Sequence, residues 1–138
     1  MNAEMERARA ELRKKLRTLA NTDGITRVEV SVPDIDPLAW VRCQSAEQRI
    51  FWSDRDEAST VAGIGAAARY DHSSSGDLDT FIRRMRADLS RAHPHMRCYG
   101  GFPFNPRVRE DDEWGAFVFG RFVVPAIEVG RVGNECFI

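Results

Sequence analysis

Residues 49–66 read RIFWSDRDEASTVAGIGA, two β-rich runs on either side of a polar turn. The first run contains Trp52, and the second runs from Ser59 to Ala66. Two such runs around a polar turn are typical of a β-hairpin. The pattern predicts two neighbouring strands in a sheet. If Trp52 lies in the core, a Trp52→Ala change is expected to cost about 3 to 5 kcal/mol of stability.

Upstream of this hairpin, helical and strand patterns follow one another. Apolar residues at spacings of three and four predict a helix from Ala3 to Ala20, and Gly24 lies just beyond its end. Asp36 followed by Pro37 is typical of an N-cap and first helical residue, so a short helix is expected there. Alternation with polar residues predicts a half-buried strand between these helices, built on Val28, Val30 and Val32.

Downstream of the hairpin, a Ser-rich loop over residues 72–76 leads to another helix. Ser74 and Asp77 have the spacing of a capping box, and Pro94 is expected to end the helix near His93. The apolar face of this helix is expected to comprise Leu78, Phe81, Ile82, Met85 and Leu89.

The last third of the chain, from Met96 onward, is rich in aromatic and β-branched residues, which predicts short strands. Arg109–Glu113 is expected to be a charged loop, and Phe122–Val129 one buried strand. A turn at Gly133-Asn134 then leads into a strand over residues 135–138. An apolar edge left exposed there would be an aggregation risk, so we expect the chain to be part of a longer protein.

Composition limits the class of protein. The 138 residues suit one domain, and 21 acidic against 20 basic residues leave a net charge of −1, which argues against binding nucleic acid through bulk charge. With 43% hydrophobic residues the chain can bury a core, and it has no apolar run of about 18 residues that would span a membrane. We expect a cytoplasmic domain of the α/β (α+β) class, an antiparallel sheet with flanking helices.

The cysteines and lysines are not expected to form a catalytic or metal-binding site. Cys43, Cys98 and Cys136 are an odd set without CxxC spacing, which favours reduced thiols over disulfides or a thiolate zinc site. The only lysines are Lys14 and Lys15, in a helix rich in Arg and Glu, where they are expected to be surface charges and not bases.

Two motifs match sequence patterns of binding sites, one for a dinucleotide and one for a metal. Residues 63–68, GIGAAA, match part of a dinucleotide fingerprint, but a polar loop is expected after them instead of a helix, which favours close packing of small residues in a strand. His93, His95 and Cys98 offer a metal two imidazoles and a thiolate. They lack a fourth partner with recognisable spacing, so a surface connection and a buried Cys98 are favoured.

Other reactive side chains fall in predicted loops. His72 precedes Ser73, Ser74 and Ser75 without a nucleophile-elbow motif, which favours a flexible loop over a catalytic triad. The paired carboxylates are expected to be solvated turn residues instead of an acid–base dyad; they are Asp54 with Asp56 and Asp111 with Asp112.

Taken together, several segments resemble the N-terminal third of isochorismate synthases, which belong to the chorismate-utilising enzymes with anthranilate, aminodeoxychorismate and salicylate synthases. The resemblance runs from about Pro33 to the end, in matching order and spacing, and the helix before Gly24 is weakly matched. The segments that carry it are Arg49–Glu57, Val61–Gly65, Cys98–Phe104 (CYGGFPF), Trp114–Phe117 and Arg121–Glu128 (RFVVPAIE).

The resemblance implies the N-terminal part of an anthranilate synthase component I-like fold, with residues 1–138 as a single scaffold portion. It implies that the parent enzyme adds water at C2 of chorismate and removes the C4 hydroxyl, using a lysine base, an acidic residue and carboxylate-bound Mg²⁺. Those groups belong to the later chorismate-binding part of the family. No catalytic, cofactor-binding or metal-binding residue is therefore assigned to this chain, which is expected to be inactive alone.

Alternatives remain open. One alternative is a parent enzyme that makes salicylate or anthranilate, and the pathways considered for it are menaquinone, siderophore and salicylate synthesis. A different class is a non-catalytic regulatory or interaction module that kept this scaffold. In that case a partner or a second copy is expected to cap the apolar residues 136–138.

Overall fold

The computed structural model describes residues 3–19, 24–73, 76–90, 93, 95–103 and 119–138. The helices within them are α1 (Ala3–Thr18), α2 (Pro37–Arg42) and α3 (Leu78–Ser90). The strands are β1 (Ser31–Val32), β2 (Arg49–Ser53), β3 (Ser59–Ile64), β4 (Ala68–His72), β5 (Tyr99–Gly101), β6 (Gly120–Val124), β7 (Ile127–Val132) and β8 (Glu135–Phe137). Predictions that lie outside the described residues concern Ser74, Ser75, Pro94, Phe104, Arg109–Glu113 and Trp114–Phe117.

The predicted hairpin is present and forms one edge of a five-stranded sheet. The strand order is β1-β8-β7-β3-β2, and every neighbouring pair is antiparallel. Helix α2 packs on this sheet against β2, β3 and β7. Its start is the predicted one, since the Asp36 carboxylate accepts a hydrogen bond from the Leu38 N–H at 2.9 Å. Helices and antiparallel strands together confirm the predicted fold class.

Two strands continue from this sheet into a second sheet, of order β4-β6-β5. The chain bends between β3 and β4 at Gly65, where φ is +64°, and between β6 and β7 at Pro125. The prediction of one strand over Phe122–Val129 is wrong. Because proline has no N–H for the ladder, the strand is interrupted at Pro125 and the chain changes sheet there.

The two bends lie side by side. The Ala67 N–H donates to the Val124 carbonyl at 2.8 Å, and the Ala126 N–H donates to the Ile64 carbonyl at 3.1 Å. These bonds satisfy backbone groups where both ladders are interrupted. The two sheets are thus joined by one bent antiparallel pair.

Helix α3 and the three-stranded sheet enclose an apolar core. Its buried members are Tyr70, Met85, Met96 and Val124. Three residues of the predicted helix face, Phe81, Ile82 and Leu89, pack against this core, whereas Leu78 is exposed. Burial and the neighbouring Asp88 raise the pKa of Tyr70 to about 12, and the Tyr70 hydroxyl donates to the Asp88 carboxylate at 3.1 Å.

The polar loop predicted over residues 69–76 is partly wrong, because Ala68–His72 forms β4. Its side chains alternate, with Tyr70 and His72 buried and with Arg69 and Asp71 exposed. The pattern has the period of a strand, but two charged residues and a histidine in five positions made it resemble a loop.

The end of the chain also differs from expectation. The predicted turn at Gly133-Asn134 is present, with Gly133 at φ +58°, but β8 is not an exposed edge. It pairs with β7 on one side and β1 on the other, and Ile138 exchanges two backbone hydrogen bonds of 3.0 Å with Val30. Within the valine-rich segment only Ser31 and Val32 form strand β1. The hydrogen bonds of Val30 extend the pairing with β8 by one residue.

The expectation that Trp52 lies in the core is wrong, since its side chain is 46% exposed. Trp52 pairs with Val61 across the hairpin and stands on the edge strand β2. Truncation there opens no enclosed cavity and removes only part of the buried area. We expect Trp52→Ala to cost about 1 to 2 kcal/mol in urea unfolding, and a loss above about 3 kcal/mol would contradict this placement.

Candidate functional site

A cavity of about 670 Å³ lies against one face of the five-stranded sheet. The sheet contributes Trp52, Val61, Glu128 and Phe137 to its wall, and residues of the segment from His95 to Tyr99 also line it. Because side chains alternate along a strand, Glu128 and the glycine at 130 share this face of β7. The sheet therefore contributes two carboxylates to the cavity, those of Glu128 and Glu135, beside apolar side chains.

Three charged side chains form an ion-pair network beside this cavity. The Arg27 guanidinium lies 2.9 Å from a carboxylate oxygen of Glu29 and 2.9 Å from one of Glu128. The side chains of Arg27 and Glu128 are only 12% and 8% exposed. Separating either charge from its partner inside a protein costs free energy, so this ion pair is expected to stay formed.

An aromatic ring positions the arginine. The Arg27 guanidinium lies 5.4 Å from the centre of the Phe137 ring, within the range of a cation–π contact. Phe137 pairs with Gly130 across β7 and β8, and a Cβ atom at Gly130 would approach the ring to 2.1 Å. The missing side chain at Gly130 thus makes room for the ring that Arg27 covers.

Tyr99 completes this network from the three-stranded sheet. Burial first, and then the charge of Glu128, raise the pKa of the Tyr99 hydroxyl, which also hydrogen-bonds to that carboxylate. A phenol in this state donates a hydrogen bond and does not serve as a base. Tyr99 therefore links the two sheets through Glu128.

Glu29 is held in its ionised form. Burial alone would raise its pKa, but hydrogen bonds and charge attraction from Arg27, with smaller contributions from His95, together lower it. The His95 Nδ1 lies 3.4 Å from the Glu29 carboxylate. A carboxylate paired in this way stabilises the folded state only while it remains ionised.

Acidification is expected to destabilise the folded chain through Glu29. Since its pKa is lower in the folded chain than the ordinary 4.5, its contribution is complete above about pH 5 and is lost as the pH falls through the folded-state value. Urea unfolding between neutral and acidic pH should show a shallower decline for Glu29→Gln. Glu11→Gln, at an exposed ion pair with Lys15, is the control and should keep the original decline. Equal curves for the two variants would contradict the assignment.

The chain matches the family described as chorismate binding enzyme over residues 10–138. It belongs to that family. Among curated relatives it is 28% identical over 143 residues to isochorismate synthase 2, chloroplastic, of Arabidopsis thaliana, an alignment covering 85% of this chain and 25% of the relative. It is 33% identical over 92 residues to the chloroplastic isochorismate synthase of Catharanthus roseus, covering 66% of the chain and 16% of the relative.

A solved structure agrees with the fold. The chain superimposes on MenF, the menaquinone-specific isochorismate synthase from Escherichia coli, with a TM-score of 0.61 and 22% identity, over 94% of this chain and 28% of that one. The resemblance to chorismate-utilising enzymes is thereby confirmed at the level of family and fold. The chain spans about a quarter of the length of these family members.

Magnesium, which the family resemblance implies, does not fit the residues that the structure describes. Mg²⁺ prefers oxygen ligands and keeps several waters. Arg27 binds one oxygen of each carboxylate of the network, Glu29 and Glu128. The group of potential ligands found among the described residues adds two imidazoles, His93 and His95, to Glu29. No step through magnesium is therefore assigned to these residues.

The glycine motif at residues 63–68 does not form a dinucleotide-binding site. Gly63 lies within β3 and Ala68 begins β4, so a strand follows the glycines where a dinucleotide site needs a helix. A Cβ atom at Gly63 would come within 2.7 Å of Pro125 and 2.9 Å of Ile50. Close packing of small residues is the role that the sequence favoured, and it is confirmed.

The other sequence candidates lie apart from the network or at its margin. His72 is buried among the rings of Phe81, Phe102 and Phe119, which corrects its assignment to a flexible loop. Lys15 donates to the Glu29 carbonyl at 2.8 Å and pairs with Glu11, while Lys14 is exposed. Asp54 and Asp56 lie in the turn between β2 and β3, as predicted. The Asp111–Asp112 pair lies outside the described residues.

The cysteines are free, as predicted. Cys43 is exposed, Cys98 is partly buried and Cys136 is buried. Burial raises the pKa of the Cys98 thiol, which disfavours the thiolate that a metal would need. Among the described residues, Glu29 and not Cys98 joins His93 and His95. Sequence reasoning missed this partner because Glu29 lies 66 residues before His95.

The described part of the chain contains no helix long and apolar enough to cross a membrane.

Proposed function

We propose that the chain is the N-terminal scaffold portion of an isochorismate synthase, with chorismate as the substrate of the whole enzyme. The observation that carries the proposal is the match to plant and bacterial isochorismate synthases over most of this chain but about a quarter of theirs. The buried network of Arg27, Glu29 and Glu128 fits a structural role, because Arg27 pairs with both carboxylates and joins the segments that carry them.

The proposed reaction of the whole enzyme is an isomerisation. A lysine base removes a proton from water as its oxygen bonds to C2 of chorismate, the ring double bond shifts, and the C4 hydroxyl leaves as water after protonation by an acidic residue. One water enters and one leaves, so chorismate and isochorismate have the same composition. We place the lysine, the acid, and magnesium with its carboxylates in the later part of the enzyme.

The test begins with the transcript beyond the codon for Ile138. An in-frame continuation with a chorismate-binding part would support the synthase, and a stop codon would favour the alternative of a non-catalytic module. Purified 138-residue chain is then incubated with chorismate and Mg²⁺, and isochorismate is measured by chromatography. No turnover is expected from the chain alone. Turnover by it would overturn the assignment of catalysis to a later part.

A further inference from the structure

We propose that Glu29, His93 and His95 form a binding site for one divalent transition-metal ion of the zinc class. The three side chains each present a ligand atom, and these atoms lie within 4.8 Å of one another. Two imidazoles and one carboxylate are a donor set that suits Zn²⁺ and its neighbours in the first transition row. The same set suits Mg²⁺ poorly, because Mg²⁺ selects oxygen.

The spacing supports a shared ion. The His95 Nδ1 lies 3.4 Å from the Glu29 carboxylate oxygen, long for a good hydrogen bond. Two ligands at about 2.1 Å from a tetrahedral zinc are separated by about 3.4 Å. The His93 Nδ1 accepts a hydrogen bond of 3.2 Å from the His95 N–H, so metal binding through that atom would replace this bond. Three protein ligands leave a fourth position for water.

Neighbouring residues fix the orientation of the Glu29 carboxylate. Arg27 binds one oxygen of Glu29 through Nε at 3.0 Å and through its terminal nitrogen at 2.9 Å, which leaves the other oxygen facing His95. Such outer contacts fix the orientation of a metal ligand. Arg27, Glu29 and Glu128 together carry one net negative charge, which favours a cation. The nearby Lys15 ammonium is paired with Glu11 at 3.0 Å.

The site would join two distant parts of the chain. Glu29 belongs to the segment that leads into β1, while His93 and His95 belong to the connection between α3 and β5. An ion bound there would link the five-stranded sheet to the three-stranded sheet. Because the ligands come together only in the folded chain, binding would stabilise that chain.

Cobalt titration of the full chain tests this site, since Co²⁺ replaces zinc and gives visible ligand-field bands. We expect one ion per chain, displaced by Zn²⁺ but not by Mg²⁺, with no thiolate charge-transfer band. His95→Ala removes a side chain that is 61% exposed, so folding should be unaffected, and affinity should fall at least about tenfold. Glu29→Gln should have a similar effect.

Glu135→Gln is the matched control, because Glu135 is an exposed carboxylate on the same cavity. Its affinity for Co²⁺ should equal that of the original chain. Absence of bands at equimolar Co²⁺, or equal binding by His95→Ala, would overturn the proposal. A thiolate band would overturn the ligand set in favour of cysteine. A rise in melting temperature with Zn²⁺ that His95→Ala abolishes would support it independently.

Discussion

Replacing Arg27 with methionine is expected to lower the free energy of unfolding by about 3 to 5 kcal/mol at neutral pH. Methionine keeps much of the length of the side chain but leaves the buried Glu128 carboxylate without its cation. The Arg27 contact with the Phe137 ring is lost as well. An unpaired charge in a buried position costs far more than the pair itself contributes, which is why the expected loss is large.

A surface pair provides the control. Arg69 and Asp71 form an ion pair at 3.2 Å, but the Arg69 side chain is 54% exposed, so Arg69→Met should cost less than about 1 kcal/mol. Urea unfolding of both variants at neutral pH makes the comparison. Equal losses would contradict the view that burial gives the Arg27 network its importance.

A double variant adds a second readout. The loss expected for Arg27→Met comes from the unpaired charge of Glu128, so removing that charge should restore stability. A second change, Glu128→Leu, should recover part of the loss at neutral pH.

Local chemistry made the correct part of the fold predictable. The N-cap at Asp36 and the proline after it form α2 through contacts within three residues. The hairpin of β2 and β3 follows from a polar turn between β-rich runs. In both cases the determining residues are neighbours in sequence, so the sequence alone contains the signal.

Non-local structure was harder to predict. Pro125 marked an interruption in the β6–β7 segment, but only the pairing with the other bend shows that the chain changes sheet there. A core position was considered for Trp52, yet its place on the edge strand β2 leaves it about half exposed. Burial of one strand face depends on which elements cover it, and a single strand pattern does not specify them.

The candidate site was predicted only in part. His93 and His95 were recognised as possible ligands, but the nearest candidate in sequence, Cys98, is not the partner that the fold brings to them. Arg27 and Glu128 lie about a hundred residues apart, and the RFVVPAIE segment that ends at Glu128 does not indicate which residue pairs with it. Charged residues on an alternating strand usually face water, so the buried position of Glu128 had no local signal.

Gly100→Ala is expected to destabilise the chain by about 3 kcal/mol or more, because the added methyl group has no room. Its Cβ atom would lie 1.9 Å from the Arg121 carbonyl oxygen and 2.7 Å from the Phe122 Cα. Both obstacles are backbone of β6, which pairs with β4 and β5 on its two sides. Backbone atoms cannot rotate out of the way as a flexible side chain can. To remove the clash, β5 would have to separate from β6 and lose hydrogen bonds between the two strands.

The neighbouring glycine is the matched control for this prediction. A Cβ atom at Gly101 would meet nothing within 4 Å, so Gly101→Ala should change stability by less than about 0.5 kcal/mol, or raise it slightly by restricting the unfolded chain. Both glycines lie in β5 and both variants add one methyl group, so strand propensity and composition are matched. A difference in urea midpoint between them therefore isolates the contact with β6. Equal midpoints would mean that β5 does not approach β6 closely at Gly100, and the position of Tyr99 beside Glu128 would then lose its support.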